Sequence, residues 1–511
     1  MNLKNIIYKY WSTKPLLTIL IGASAIRLLS VIFSKGFGML DDHFLVIESA
    51  QSWVDGFDYN NWIPSITKTV STPTGHPLFY AGLHYLLFSF LQLLGITDPQ
   101  TKMYFVRFAH AIYSLAIIYF GYKITLRLST LKAAKTVGLL LAFLWFMPFM
   151  SVRNLIEFVC IPPLMYATWL VIKNEGKDKW IPYLFVGFLL GLAFNIRFQT
   201  ITFLFGFGMS LLLLKKWKES ALILLGFATC IALVQAGTDM IVWKKPFMEL
   251  TEYIRYNLAN AETYGTQKWY NYILLIAGIF LPPVSIFLIF GFFFAFLKNW
   301  RRYLIIFLPT LVFFAAHSYF PNKQERFIFP ALPFIILLGT IGWYSFAETS
   351  RFWNRNTRLH AACWIFFWSL NLFPMLFISS AYSKRSRVEA MYYLSAQKDL
   401  RYILIEESQH EDFIQPPLFY LKRWCYTYYI TKNYTLDSLQ KNILTNEPRY
   451  RPNYVVFNGE ENINQRTESL KRAFPKLEYM TTIQPGFIDN ILHKLNHHNA
   501  NYVCYIYKTN D

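Results

Sequence analysis

Apolar runs close to the length of a membrane crossing recur from residue 15 to about residue 380, separated by short polar and basic stretches. A helix needs about 20 apolar residues to cross the hydrocarbon core, where every backbone polar group must be satisfied within the segment. The pattern predicts helices over 15–33, 77–95, 103–123, 136–150, 155–172, 181–196, 199–214, 220–241, 272–297, 303–317, 328–346 and 361–380. Beyond 380 the period changes. Asp399 to Glu406, Asn453 to Asn458 and Asn501 to Lys508 read as short strands, and 386–398 and 462–473 as helix-capable stretches between them. The chain therefore reads as an α-helical polytopic membrane domain over 1–380 followed by a soluble α/β module over 381–511.

Composition agrees, with 54% hydrophobic, 19% aromatic and 15% charged residues among 511, which excludes an ordinary soluble enzyme. The first apolar run is too long for a cleaved signal, and no small-residue cleavage site follows it. A net charge of +19 does not mark a nucleic-acid groove, because the cations punctuate the spans. Lys4, Lys9 and Lys14 precede the first; Lys123 to Lys135, Lys173 to Lys179, Lys215 to Lys218, Lys298 to Arg302 and Arg351 to Arg358 fill later loops. Those loops read as cytoplasmic. Parity then requires that one early segment not cross, and 77–95, opened by His76-Pro77, is assigned as re-entrant or surface-lying. The expected topology is about eleven crossings, N-terminus inside and C-terminus outside.

The outward loops then hold the chemistry. Asp41 and Asp42 stand just beyond the first span, where a carboxylate pair at the membrane boundary reads as a proton-handling or cation-holding site. The structural alternative is that Asp41 caps a helix beginning near His43. Further on come Arg153 with Asn154, Arg197, the 253–270 segment, and His317-Ser-Tyr-Phe-Pro-Asn-Lys323-Gln-Glu325-Arg326. The last of these places Lys323, Arg326 and His317 where an anionic headgroup would lie. Its alternative is an interfacial loop with snorkelling cations and Glu325 paired to Arg326. Cys160, Cys230 and Cys363 lie in spans; Cys425 and Cys504 share the module and have the option of pairing. The module carries no glycine-rich phosphate loop, zinc spacing or serine elbow, and reads as a cap or acceptor-docking unit.

The 317–330 segment resembles the His-Lys-Glu-Glu-Arg-Phe block of glycosyltransferase family 22, membrane α-mannosyltransferases of the GT-C superfamily that use a polyprenyl-phosphate sugar. Other blocks follow in order. Leu40-Asp41-Asp42-His43-Phe44 resembles the family's Pro-Asp-Glu-x-Phe, Val106-Arg107-Phe108-Ala109-His110-Ala111 its Arg-Leu-x-x-Ala helix, and Asn154-x-x-Glu157 its Ser-Asn-x-x-Glu. Gly191 to Arg197 and Asn257 to Tyr270, with Tyr264 and Trp269, complete a series covering roughly residues 15 to 345. Asp42, Asn322, Gln324 and Met39 depart from the usual residues. The C-terminal module resembles external domains on bacterial lipid-modifying relatives of the same architecture.

The resemblance implies an inverting hexosyl transfer, of mannose or another hexose, from a polyprenyl-phosphate donor to a glycan or glycolipid acceptor on the extracytoplasmic face. Asp41 is the expected base, with Asp42 beside it. Lys323 and Arg326, then His317 and Arg197, would hold the phosphate, while His43, Glu325, Tyr264, Trp269 and Glu157 would position substrate. Membrane lipids are partners and nucleic acid is not; no metal or other cofactor is called for. A lipid-linked-glycan flippase or polymerase would place charges inside several helices, and another lipid-headgroup transferase is the remaining alternative. The expected membrane is the bacterial cytoplasmic (inner) membrane with the site facing the periplasm, or the endoplasmic reticulum in a eukaryote.

Overall fold

A computed structural model describes residues 3–57, 73–263, 265–439, 450–495 and 502–510. Among these, seven helices are long and apolar enough to cross a membrane: Pro15–Phe33, Pro99–Leu128, Ile156–Asn174, Trp217–Trp243, Trp300–Tyr319, Glu325–Thr349 and Thr357–Ser379. Four shorter apolar helices accompany them, at Leu78–Leu93, Ile181–Ile196, Phe198–Leu213 and Val284–Lys298. The chain is a multi-pass membrane protein. It divides into two compact units, one of Met1–Ile32, Trp62–Leu83 and Phe105–Ser380, the other of Phe33–Asn61, His84–Tyr104 and Ala381–Asp511.

Two predicted spans are broken. The 272–297 run splits into Asn271–Ile279 and Val284–Lys298 around Leu281-Pro282-Pro283, because consecutive prolines remove two backbone donors and cannot continue a helix. The 136–150 run ends its helix at Phe143, and a one-turn helix, Met147–Met150, follows. Asn371 binds that break from both sides, accepting from the Trp145 amide at 2.8 Å and donating to the Phe143 carbonyl at 2.7 Å.

In the first unit the helices Val284–Lys298 and Leu332–Thr349 meet backbone to backbone. A Cβ on Gly291 would lie 2.0 Å from the Gly339 carbonyl oxygen, so the small residue is what permits the contact. Charges also sit inside the helices, contrary to the expectation that they gather on loops. Arg27 and Arg107 are buried; Arg27 donates to Ser114 Oγ at 3.0 Å and to the Ala23 and Ala142 carbonyls, and Arg107 donates to the Val31 carbonyl at 2.9 Å. The bonds to Ser114, Ala142 and Val31 tie helix to helix.

Outside the spans, buried Glu249 gathers the 74–76 turn, accepting from the Gly75 amide at 2.7 Å and from Trp243 Nε1 at 2.9 Å. Burial outweighs those donors and raises its carboxyl to about 7. Because the folded value lies above the unfolded one, the contribution to stability is complete below the unfolded value and is lost as pH rises through about 7. Thermal stability should therefore fall from about pH 5 to about pH 8, and Glu249→Gln should flatten that slope. Melting curves across the range check it.

The second unit contains a five-stranded sheet of β1 (Ile403–Glu407), β2 (Thr427–Thr431), β3 (Tyr454–Asn458), β4 (Leu477–Ile483) and β5 (Cys504–Thr509). The order is β2-β1-β3-β5-β4, with β1 parallel to β2 and β3 and β5 antiparallel to β3 and β4. Leu404, Val455, Phe457, Leu470 and Phe474 form its core. The five cysteines are free thiols. Cys425 and Cys504 do not pair: Cys504 donates to Asn458 Oδ1 at 3.2 Å and Cys425 to the Arg401 carbonyl at 3.1 Å.

The same unit includes the segment after the first span. The Ser383 amide donates to the Lys35 carbonyl at 3.1 Å, and Gly36, at φ +74°, packs so closely there that a Cβ would meet the Ser383 carbonyl oxygen at 1.8 Å. Only glycine fits both demands.

Candidate functional site

In the first unit a polar cluster forms where helices begin and end. Glu157 lies in the first turn of Ile156–Val159, Arg197 at the residue that ends Ile181–Ile196, and Arg326 in the 3-10 turn Glu325–Ala331 that opens the helix Leu332–Thr349. All three are buried. Glu157 Oε1 receives Arg197 Nη1 at 2.5 Å and stands 3.3 Å from Arg326 Nε. One carboxylate thus orients two guanidinium groups, and the three carry a net positive charge. Both guanidiniums also lie over the Phe327 ring, at 5.0 and 5.5 Å.

Two amides complete the arrangement. Gln199 Oε1 accepts from Arg197 Nη2 and lies 3.2 Å from His317 Nε2, while His317 Nδ1 is bound to the Phe313 carbonyl at 2.8 Å. Gln324 Oε1 accepts from Arg326 Nε at 2.8 Å, and its carbonyl accepts from the Tyr272 hydroxyl at 3.0 Å. Such a set of fixed donors suits an anionic group in a site of low dielectric.

The acid pair belongs to the second unit. Asp42 opens a seven-residue π-helix, Asp42–Glu48, which runs directly into the helix Ser49–Asp55. π-helical turns are rare and concentrate at functional sites. Asp41 keeps helical backbone angles and makes no side-chain cap bond, so the capping alternative fails. Asp41 is exposed and Asp42 buried. The ring of His43 is enclosed, stacked on Phe37 at 4.3 Å and parallel to Tyr420 at 5.6 Å, with Nε2 3.5 Å from Glu48. Burial lowers the His43 pKa and Glu48 pulls the other way, which leaves the imidazole neutral at pH 7. Glu48 also accepts from the Phe419 amide at 2.9 Å, so the C-terminal module grips the helix that carries the acids.

Of the residues expected at the site, Arg197, Arg326, His317 and Glu157 come together. Lys323 lies just before them, its ammonium donating to the carbonyls of Gln267, at 3.1 Å, and Phe320. Desolvation lowers its pKa. Glu325 and Trp269 are exposed, and Arg326 takes Glu157 as its ion-pair partner where Glu325 was the alternative. Tyr264 lies outside the described residues. Sequence reasoning missed Gln199; its one signal is the spacing Arg-x-Gln at the end of an apolar run.

Residues 18–413 match the Alg9-like mannosyltransferase family. The chain belongs to that family. Among curated members, GPI mannosyltransferase 3 of Yarrowia lipolytica is 25% identical over 399 residues, covering 74% of this chain and 71% of that one. GPI mannosyltransferase 3 of Candida albicans is 24% identical over 331 residues, covering 63% of this chain and 62% of that one. Among solved structures, ArnT from Cupriavidus metallidurans aligns over 97% of this chain and 98% of its own, at 12% identity. The TM-score is 0.64 for its apo state and 0.61 for its complex with undecaprenyl phosphate. The Archaeoglobus fulgidus oligosaccharyltransferase tethered to an acceptor peptide gives 0.53 at 11% identity, over 88% of this chain and 70% of that one. At these identities the likeness is one of fold, the GT-C type. This Alg9-like protein is a membrane mannosyltransferase, as the ordered blocks around Asp41, Glu157 and Arg326 implied.

Proposed function

We propose that this mannosyltransferase transfers mannose from a polyprenyl-phosphate donor to a hydroxyl of a glycan or glycolipid acceptor, on the extracytoplasmic face, with inversion. That face is the periplasmic one in a bacterium and the lumenal one in a eukaryote. The acceptor hydroxyl attacks the anomeric carbon, Asp41 takes the hydroxyl proton, and the bond from that carbon to the phosphate oxygen breaks with its electron pair leaving on the polyprenyl phosphate. A sugar hydroxyl ionises far above neutral pH, so a carboxylate within hydrogen-bond reach is needed. The departing phosphate needs fixed cations. Support comes chiefly from one observation, the convergence of Arg197 and Arg326 on the buried Glu157 carboxylate.

Arg326→Ala should depress transfer by about tenfold or more, because a guanidinium already oriented for the leaving phosphate is lost. Lys323→Ala should cost less, since its ammonium is engaged by two backbone carbonyls. Initial rates with polyprenyl-phosphate mannose as the varied substrate, in nanodiscs, check both. Wild-type kinetics in the Arg326 variant would reduce the cluster to a membrane anchor. A protein that used only a nucleotide-sugar donor would refute the donor assignment.

A further inference from the structure

Within the second unit a cavity of about 260 Å³ lies beside the helix that continues from the acid pair. Its walls include Gln51 and Asp55, Gln92, Lys102, and Phe419 and Lys422 of the C-terminal module. Lys102 is buried, with 1% of its surface exposed. Its ammonium donates to Gln51 Oε1 at 2.9 Å, and Gln51 Nε2 donates to Asp55 Oδ1 at 2.8 Å. Lys422 pairs with Asp98 at 3.0 Å.

The chemistry of these walls selects a ligand class. The walls hold two ammonium groups and one carboxylate, Asp55, and Asp98, outside the walls, pairs with Lys422, which leaves little excess charge to hold an anion. What it offers is a mixture of donors and acceptors, with Phe419 in the wall, and such a mixture complements the hydroxyls of a sugar, each of which both donates and accepts. The volume falls just below the roughly 300–1,000 Å³ of pockets for drug-sized ligands, as one sugar ring requires.

Placement ties the cavity to the reaction. Glu48 and Gln51 are three residues apart on one helix and therefore neighbours on its surface. Glu48 fixes the Phe419 amide, and Phe419 in turn walls the cavity. From Asp42 to Gln51 the helical run is unbroken, which keeps the cavity within the reach of a short oligosaccharide from the acid pair.

We propose that this cavity is a subsite for a neutral sugar residue of the acceptor glycan, distal to the hydroxyl that is glycosylated. The proposal rests on the glycan-acceptor reading above. It assigns the C-terminal module a share in acceptor recognition, through Phe419 and Lys422.

The test is binding of an α-linked mannotriose to the full-length protein in nanodiscs, without donor, read by saturation-transfer difference NMR. Wild type should bind it. Gln51→Leu and Asp55→Asn should each weaken binding by about tenfold, with the melting temperature measured in parallel to confirm folding. Lys102→Met should do the same where it folds, and inorganic phosphate should not compete. Wild type that fails to bind, or folded Gln51→Leu and Asp55→Asn variants that bind like wild type, would overturn the subsite. Displacement of the sugar by inorganic phosphate would overturn its neutral-sugar assignment. Asp41→Asn should retain mannotriose binding, so failure of the subsite and failure of the base assignment give different results.

Discussion

Asp41→Asn is expected to lower mannosyl transfer by about 100-fold or more, the range of general-base contributions, while the protein still inserts and still binds the lipid donor. Asparagine keeps the volume of the side chain and part of its hydrogen bonding, and removes only the proton acceptor. The surroundings make the result interpretable. Asp41 is exposed and makes no cap bond to its helix, and a melting temperature measured on the variant separates lost chemistry from lost folding. Asp42→Asn should be milder in turnover, because Asp42 is buried in the π-helix and its proposed part is to position its neighbour. Single-turnover rates and donor-binding isotherms on both variants separate chemistry from binding. Full turnover by the Asp41 variant would remove it as base.

Glu157→Gln is expected to destabilise the first unit by about 3 kcal/mol or more, because two guanidiniums would lose the buried anion that orients them. Removing one member of a buried ionic group costs more than the group contributes, since the remaining charges stay desolvated. Arg326→Ala, which leaves Arg197 paired to Glu157, should cost less stability than Glu157→Gln and more activity than stability. Thermal unfolding of purified variants in one detergent decides the order. An unchanged melting temperature in Glu157→Gln would show that the cluster is hydrated and loosely coupled.

How much of this was legible in the chain depends on which interactions set each element. Spans governed by apolar length were readable, and so were the strands at 403–407, 454–458 and 504–509, where buried β-branched and aromatic residues run together. β2 and β4 were not. The first three residues of β2 and most of β4 are only partly buried or exposed, so neither shows a sustained apolar run. The break at Pro282-Pro283 was visible as two letters but was outweighed by the hydropathy on either side. Asp41, Arg197, Arg326 and Glu157 could be picked as charged residues at span ends, whereas the grouping of Glu157 with the two arginines could not. Glu157 and Arg326 are far apart in sequence, and only helix packing brings a carboxylate to an arginine. The grip of Glu48 on Phe419 joins segments at opposite ends of the chain, and no local pattern announces it.

The central claim is that Asp41 and the arginine cluster act on one donor from one side of the membrane. Single cysteines at positions 41 and 325, both exposed, can be placed in a background lacking the five native cysteines and treated with a membrane-impermeant maleimide in sealed, oriented vesicles. A control at position 300 reads the opposite side, where the Lys298 to Arg302 loop is expected from its charge. The account predicts that 41 and 325 react from the extracytoplasmic side and 300 only after permeabilisation. Labelling of 41 and 325 from opposite sides would leave Asp41 without a phosphate-binding partner and contradict the mechanism.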